Sequence, residues 1–340
     1  MTSFSQTMLD RRHFLTLSTA MVAQSFIPYG ALAADLVPVK VVTNGGVENL
    51  TILSLLDQQG FLTSTGVAQT LVNVTSPPAT LEALVTDKAE ICIVSGFNGL
   101  LPAIEKGAPA KVVGAALRTP ALAVYSSKPE IKRAADLVGK TVGIGPDMGL
   151  LHVTMIALLQ AKGIDPKLVK FVNVGSNAEV YRDVKAGKVD AGPSDVSNSS
   201  DAVKSGLGIL EDGKLWTELP NYPYQLAYAS DRAIRDNRDG LVRALAAYGK
   251  LFRFISSPES RAAYEEARKA ANNGVATAAS QDAWTYVQTN KPYAGSPEVT
   301  KERLDYLQAL HVSLGLQKIV LPTEKIADLS LARDAVRMIG

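Results

Sequence analysis

Three glycines, Gly143, Gly145 and Gly149, separate an apolar strand-like run from an amphipathic helix-like run, and His152 follows in the first helical turn. The spacing invites a phosphate-binding reading, which its residues reject. A phosphate loop needs Lys and then Ser or Thr after its last glycine, and here Leu150 and Leu151 follow Gly149. A dinucleotide turn needs G-x-G-x-x-G, but Pro146-Asp147-Met148 makes the gap to Gly149 one residue too long. About twenty residues further on, Lys170 stands where a ribose-binding acid is wanted. What survives is simpler chemistry. A turn at a strand's carboxyl end feeds a helix whose first N–H groups lack partners, and such a helix start favours an anion. His152 is either a ligand contact or a satisfied, partly buried side chain. A catalytic base would need a nucleophile or carboxylate partner, and the sequence indicates none.

The other reactive types are scarce. Cys92 is the only cysteine, inside an apolar run, so no internal disulfide or cysteine metal cluster is available. Three histidines in the whole chain are too few for a histidine-rich zinc site. We therefore expect no catalytic residues, no metal and no cofactor. The formal net charge is +2, which gives no electrostatic case for nucleic acid or an anionic membrane surface. A chain of 340 residues that is 46% apolar has material for one large core or two medium ones.

The elements that must hold these residues alternate. Strand-like runs at 39–42, 68–74 and 91–94 are separated by helical spacing at 47–59 and from Pro77 to Val85. The pattern repeats as strands at 140–145, 168–174 and 189–192 around helices at 149–161 and 178–186. Residues 84–91 and 184–191 align, each placing a lysine, a small residue and an acid before the third strand. Two α/β units of one design predict two lobes, each with a parallel sheet. Extended apolar runs at 114–125 and 222–229 are the two hinge crossings. Lobe 1 is then 34–121 plus 229–340, with five helical runs after Asp231, at 234–256, 258–271, 281–289, 297–314 and 323–338, and lobe 2 is 122–228. The charge-rich C-terminal helices are expected to be solvated exteriors.

Ligands of open α/β sheets bind beyond the strands' carboxyl ends. The turns there supply the candidate contacts: Asn44, Gly45 and Gly46; Ser95, Gly96 and Phe97; Met148, Gly149, Leu150 and His152; Ser194 and Asp195. The crossings add Arg118, Thr119 and Tyr224. Several alternatives stay open. Arg118 either pairs with an acid or offers a forked donor to a ligand anion. Asp195 either meets a ligand amine or caps a helix. Phe97 and Tyr224 either line the cleft or pack.

Asp10-Arg11-Arg12-His13-Phe14-Leu15, a moderately apolar run at 14–27 and Ala31-Leu32-Ala33 read as a cleavable twin-arginine export signal over 1–33. The apolar run is shorter than the ~20 residues that span a bilayer. The mature chain is expected in the periplasm, as a monomer without membrane insertion.

Two segments carry a family resemblance. Val124-Tyr125-Ser126-Ser127 is followed by Ile131-Lys132-Arg133-Ala134-Ala135-Asp136-Leu137-Val138-Gly139-Lys140-Thr141-Val142-Gly143, and later comes Gly187-Lys188-Val189-Asp190-Ala191. Over residues 38 to 260 the chain resembles the periplasmic substrate-binding proteins of ABC importers, in the nitrate/sulfonate/taurine group that includes pyrimidine-precursor binders. The resemblance implies a two-lobed type II binding-protein fold, closure on a small-molecule ligand by hinge motion, and docking on an inner-membrane ABC permease. It also admits a ligand-sensing subunit of a membrane sensor. Related thiamine-pyrimidine synthases carry a cysteine-rich motif and pyridoxal phosphate, and Cys92 alone does not supply that motif.

Overall fold

The computed structural model describes residues 36–340 except 75, 95–98 and 294. The expected export signal, and with it the twin-arginine motif, lies outside the described residues, as do Ser95, Gly96 and Phe97. Ten strands among the described residues are β1 Val37–Thr43, β2 Val67–Asn73, β3 Ile91–Cys92, β4 Ala110–Ala115, β5 Leu122–Ser126, β6 Thr141–Ile144, β7 Lys170–Asn173, β8 Ala191–Asp195, β9 Gly208–Lys214 and β10 Leu226–Ser230. They form two five-stranded sheets, ordered β2-β1-β3-β10-β4 and β7-β6-β8-β5-β9.

The two orders are one topology used twice. β1 runs parallel to β2 in register Val37↔Val67 and also pairs with β3, while β6 pairs with β7 from Thr141↔Lys170 and with β8. The fourth strand of each sheet is antiparallel and arrives from the other half of the chain: β10 lies between β3 and β4, and β5 between β8 and β9. The internal similarity of residues 84–91 and 184–191 is thus a repeat of architecture, each copy leading into the third strand of its sheet. Val39, Val41, Ile91, Val142, Ile144 and Ala191 are all buried, as strands covered on both faces require.

Helices Val47–Gln58 and Pro77–Val85 accompany the first sheet, and Leu150–Ala161 and Asn177–Lys185 the second. Asn177–Lys185 begins with a capping box: Ser176 Oγ accepts from the Glu179 N–H and Glu179 Oε2 accepts from the Ser176 N–H at 2.6 Å. Leu150–Ala161 departs from its one-faced expectation, because Leu151 through Leu159 are buried without a break. It is packed between β8 and the short helix Leu215–Glu218, and against the turns Ala134–Leu137 and Pro166–Leu168.

Three other departures have local causes. The expected continuous crossing at 114–125 is split, because the chain must finish β4 in one sheet before starting β5 in the next. β9 has no apolar run to announce it; it is an edge strand carrying Glu211, Asp212 and Lys214, and charge on an edge deters unwanted pairing. The expected helix at 234–256 breaks at Asn237, whose amide donates to Pro38 O and to Glu90 Oε1, both at 3.0 Å. The run at 323–338 likewise divides, since Ala327 bridges to Val112 of β4 and Asp328 donates its N–H to Val112 O at 2.9 Å.

Helix Ala278–Asn290 joins the two halves a third time. Gln288 Nε2 donates to Ile255 O at 2.7 Å, and Arg261 to Gln281 Oε1 at 2.7 Å. On its other side Asp282 accepts from the Ser200 N–H at 2.7 Å and the Ser200 hydroxyl at 2.5 Å, and Tyr286 meets Trp216 edge-on with centroids 5.0 Å apart. No helix among the described residues is long and apolar enough to cross a membrane.

Candidate functional site

The carboxyl ends of β1 and β3, and of β6 and β8, are the ends where the chain passes from sheet to sheet. Polar groups from both halves meet there. Helix Val47–Gln58 starts just after β1 at Gly46, with φ 88° and no side-chain cap. Its first turn carries Glu48, which pairs with Arg268 of helix Arg261–Ala271, a helix packed directly along Val47–Gln58. Arg268 is 5% exposed, and burial opposes its charge, but Glu48 and then Tyr264 outweigh that and raise its pKa. Tyr264, itself buried, lies beside both partners.

Asp195 faces this pair from the end of β8. Its Oδ1 accepts from Asn177 Nδ2 at 3.2 Å, and its backbone carbonyl from the hydroxyl of Tyr125 at 2.8 Å. Burial and then the charge of Glu48 push its pKa up to about 6, with Asn177 and Arg268 pulling the other way. A carboxylate of the second sheet thus feels two charges carried by the first. Tyr224, at the return crossing, is buried and lies in the field of Asp195, Tyr286 and Glu48. Tyr293 lies in that of Tyr264, Glu48 and Tyr286. The Tyr286 hydroxyl is near Thr119 but makes no hydrogen bond of normal geometry, and the Thr43 hydroxyl, at the end of β1, is also buried and unpaired. The cluster combines one guanidinium, two carboxyls and several tyrosine hydroxyls, that of Tyr286 unsatisfied, which suits capture of a polar molecule by hydrogen bonds.

The candidate residues from the sequence are distributed unequally around this cluster. Asp195, Tyr224 and Thr119 are in it. Asn44 is beside it, its Oδ1 accepting from Asn49 Nδ2 at 2.9 Å, while Asn49 in turn is within 3.5 Å of Gln225 at the return crossing. Gly45 and Gly46 both have positive φ, which shapes the turn that presents Glu48. Ser194 is fully buried, with its hydroxyl committed to Asn177 O at 2.7 Å and to Asn198 at 3.1 Å. Arg118 is exposed and lines a groove with Pro223, Ser296, Thr300 and Arg303; the burial of Arg303 and the nearness of Arg118 lower the Arg303 pKa.

The glycine turn is tied to itself. The Gly149 N–H donates to Pro146 O at 2.8 Å, and Met148 takes φ 56°, a left-handed value rare outside glycine and asparagine. A Cβ at Gly149 would lie 2.8 Å from Pro146 O, so the glycine allows the turn to close. His152 holds that closure: its Nδ1 accepts from the Met148 N–H at 3.1 Å, and its ring packs on Phe171 at 4.6 Å. Burial lowers its pKa, against a smaller opposing effect of Asp147, so the ring stays neutral and Nδ1 keeps its lone pair. Leu150 follows as the first, half-buried residue of the helix. His152→Ala is expected to cost about 2–3 kcal/mol from lost packing and one hydrogen bond. Hydrogen exchange should show the loss concentrated at the amides of 145–149.

Sequence reading missed Glu48, Arg268, Tyr264, Tyr286 and Tyr293. The signal for Arg268 was present but local. Tyr264, Ala267 and Arg268 are spaced three and four apart on the buried face of an otherwise charge-rich helix, where an arginine needs a partner. Among the described residues no group of three His, Cys, Asp or Glu side chains is arranged to hold a metal ion.

No curated protein sequence matches the chain. Solved structures do. The periplasmic aliphatic sulphonate binding protein SsuA of Escherichia coli matches at 17% identity over 86% of this chain and 92% of its own, with a TM-score of 0.68. The alkanesulfonate-binding protein SsuA of Xanthomonas axonopodis pv. citri, bound to MOPS, matches at 16% over 90% and 99%, with a TM-score of 0.62. The desulfurization enzyme DSZB matches at 14% over 89% and 99%, with a TM-score of 0.61. The shared architecture is the two-lobed α/β fold of periplasmic binding proteins, and it hosts both binders and an enzyme. The sequence model described as NMT1/THI5-like matches residues 48–257, from the acid of the first helix through every strand after β1 to just past the long helix Arg238–Ile255, and the chain therefore belongs to the NMT1/THI5-like family.

Proposed function

We propose that this protein is an exported solute-binding protein of the nitrate/sulfonate/taurine kind. It captures a small acid-bearing solute between two lobes and delivers it to an ABC permease in the inner membrane. It works as a periplasmic monomer that leaves the cytoplasm by its twin-arginine signal. The lobes are 34–121 plus 229–340 and 122–228, with helix Ala278–Asn290 straddling them.

The observation that carries this reading is the charge cluster shared between the sheets, in which Asp195 of β8 answers to Glu48 and Arg268 on the other side. Such a cluster changes when the lobes move, and a solute that bridges it holds them together. Sulfonate binding by fold neighbours supports an acid-bearing solute. We favour binding over catalysis because Cys92 is fully buried in β3 and the Nδ1 lone pair of His152 is occupied by Met148.

A thermal-shift screen tests the proposal with alkanesulfonates, taurine, nitrate, bicarbonate, aromatic carboxylates and pyrimidines. A true solute at a hundred times its Kd is expected to add ~2.7 kcal/mol, or about 4 °C in Tm for a chain of 340 residues. Failure of every small acid to shift melting would remove the receptor reading.

A further inference from the structure

Arg268 and Glu48 are unequal partners. The Arg268 side chain is 6% exposed and the Glu48 side chain 41%. The arginine is held against Tyr264 on a packed helix face and keeps its charge at all working pH values, so it requires an anion beside it. Glu48 has no such constraint. It sits in the first turn of an uncapped helix, half in water, and needs only side-chain rotation to leave. The surroundings are unfinished as well: the hydroxyl of Tyr286, which shares the neighbourhood of Tyr224 and Tyr293 with Glu48, is buried without a partner. Asp195 adds a second negative group nearby, so with Glu48 in place two carboxyls face one guanidinium. An incoming acid that added itself to this set would worsen the repulsion, whereas one that replaced Glu48 would leave the charge count as it is.

We propose that Arg268 is the receptor for the acid group of the solute, and that Glu48 is a resident carboxylate that occupies that receptor until the solute displaces it. This rests on the solute-receptor reading for its purpose, but the displaceable pair has a test that needs no natural solute. The site takes a carboxylate or sulfonate of a small molecule, oxygens towards the guanidinium and Tyr264, at the start of helix Val47–Gln58, whose free N–H groups favour an anion as well. Glu48 sets a threshold: a solute must out-compete it, which rejects weak inorganic anions.

The test is chemical rescue of Glu48→Ala by methanesulfonate, followed by melting temperature, with sodium chloride at equal ionic strength as control. The variant is expected to melt below wild type and to recover saturably with methanesulfonate. A pair that is closed most of the time lowers apparent affinity by its open fraction, so half-saturation should fall by about tenfold or more relative to wild type. The double variant Glu48→Ala/Arg268→Gln should show no recovery. Equal responses of wild type and Glu48→Ala, or rescue of the double variant, would overturn the proposal. Glu48→Gln keeps the shape of the side chain and serves if the alanine variant does not fold; it should gain methanesulfonate affinity in the same direction, and no gain would be equally contrary. A solute screen that fails while rescue succeeds removes the receptor reading and leaves the site; the reverse result removes the site alone.

Discussion

Arg268→Gln is expected to abolish solute binding while leaving the fold nearly intact. Removing one member of a desolvated charge pair from a binding site costs about 2–5 kcal/mol, which is about thirtyfold to several thousandfold in Kd. Stability should respond far less, because Glu48 is left half in water and can be rehydrated. Calorimetric titration with a solute from the thermal screen, beside a denaturant melt of the unliganded variant, separates the two effects. An arginine of purely structural value would give the opposite pattern, with loss of stability and unchanged affinity in whatever remained folded.

Asp195→Asn is expected to stabilise the unliganded protein above pH 6. The folded-state pKa of Asp195 is raised to about 6 from an ordinary 3.8, mainly by burial and then by Glu48. The folded protein therefore holds that proton more tightly than the unfolded chain. Its favourable contribution is present in acid and is lost as pH rises from about 4 through 6. Asparagine keeps the hydrogen-bonding shape and has no charge to desolvate, so the gain at neutral pH is at most about 3 kcal/mol, less whatever solvent screens at this partly exposed side chain. His311 works in the other direction. Burial lowers its pKa to about 4 from 6.5, so protonation of the unfolded chain erodes stability as pH falls from 6.5 towards 4. The two trends oppose each other in the wild-type protein. In Asp195→Asn the opposing gain is gone, and stability should fall more steeply than in wild type on acidification below pH 6. Denaturant melts at several pH values check this; a variant that is no more stable than wild type at pH 7 would mean that Asp195 is well solvated.

The alternation of strands and helices was legible because buried parallel strands and their helices have different hydrophobic periods, and the duplication was legible because residues 84–91 and 184–191 kept the same turn chemistry. The edge strand β9 was hidden by its charges, which an edge position needs and an apolar-run search discards. The breaks at Asn237 and Ala327 were hidden for a different reason. Each residue leaves its helix for a partner more than a hundred positions away, Pro38 and Glu90 in one case and Val112 in the other. The site divides in the same way. Asp195 and Tyr224 can be proposed from the sequence because strand ends and crossings can be located from local pattern. Arg268 was set aside with the charge-rich C-terminal helices, since its burial depends on helix Val47–Gln58, 220 residues earlier in the chain. His152 stands out in the sequence for its chemistry, and its contacts are those of a turn lock: a proline-led turn closed through a left-handed methionine needs a nearby acceptor for the Met148 N–H.

The most direct measurement of capture between lobes is an interlobe distance. Spin labels at Leu71→Cys on β2 and Val203→Cys on helix Ser199–Lys204 would occupy exposed positions on the two sheets' flanks, while Cys92 is fully buried and out of competition. Addition of a solute from the thermal screen is expected to shift and narrow the distance distribution with one-to-one stoichiometry, and Arg268→Gln should leave it unshifted at the same concentration. A solute that binds tightly and leaves the wild-type distribution unchanged would contradict the account.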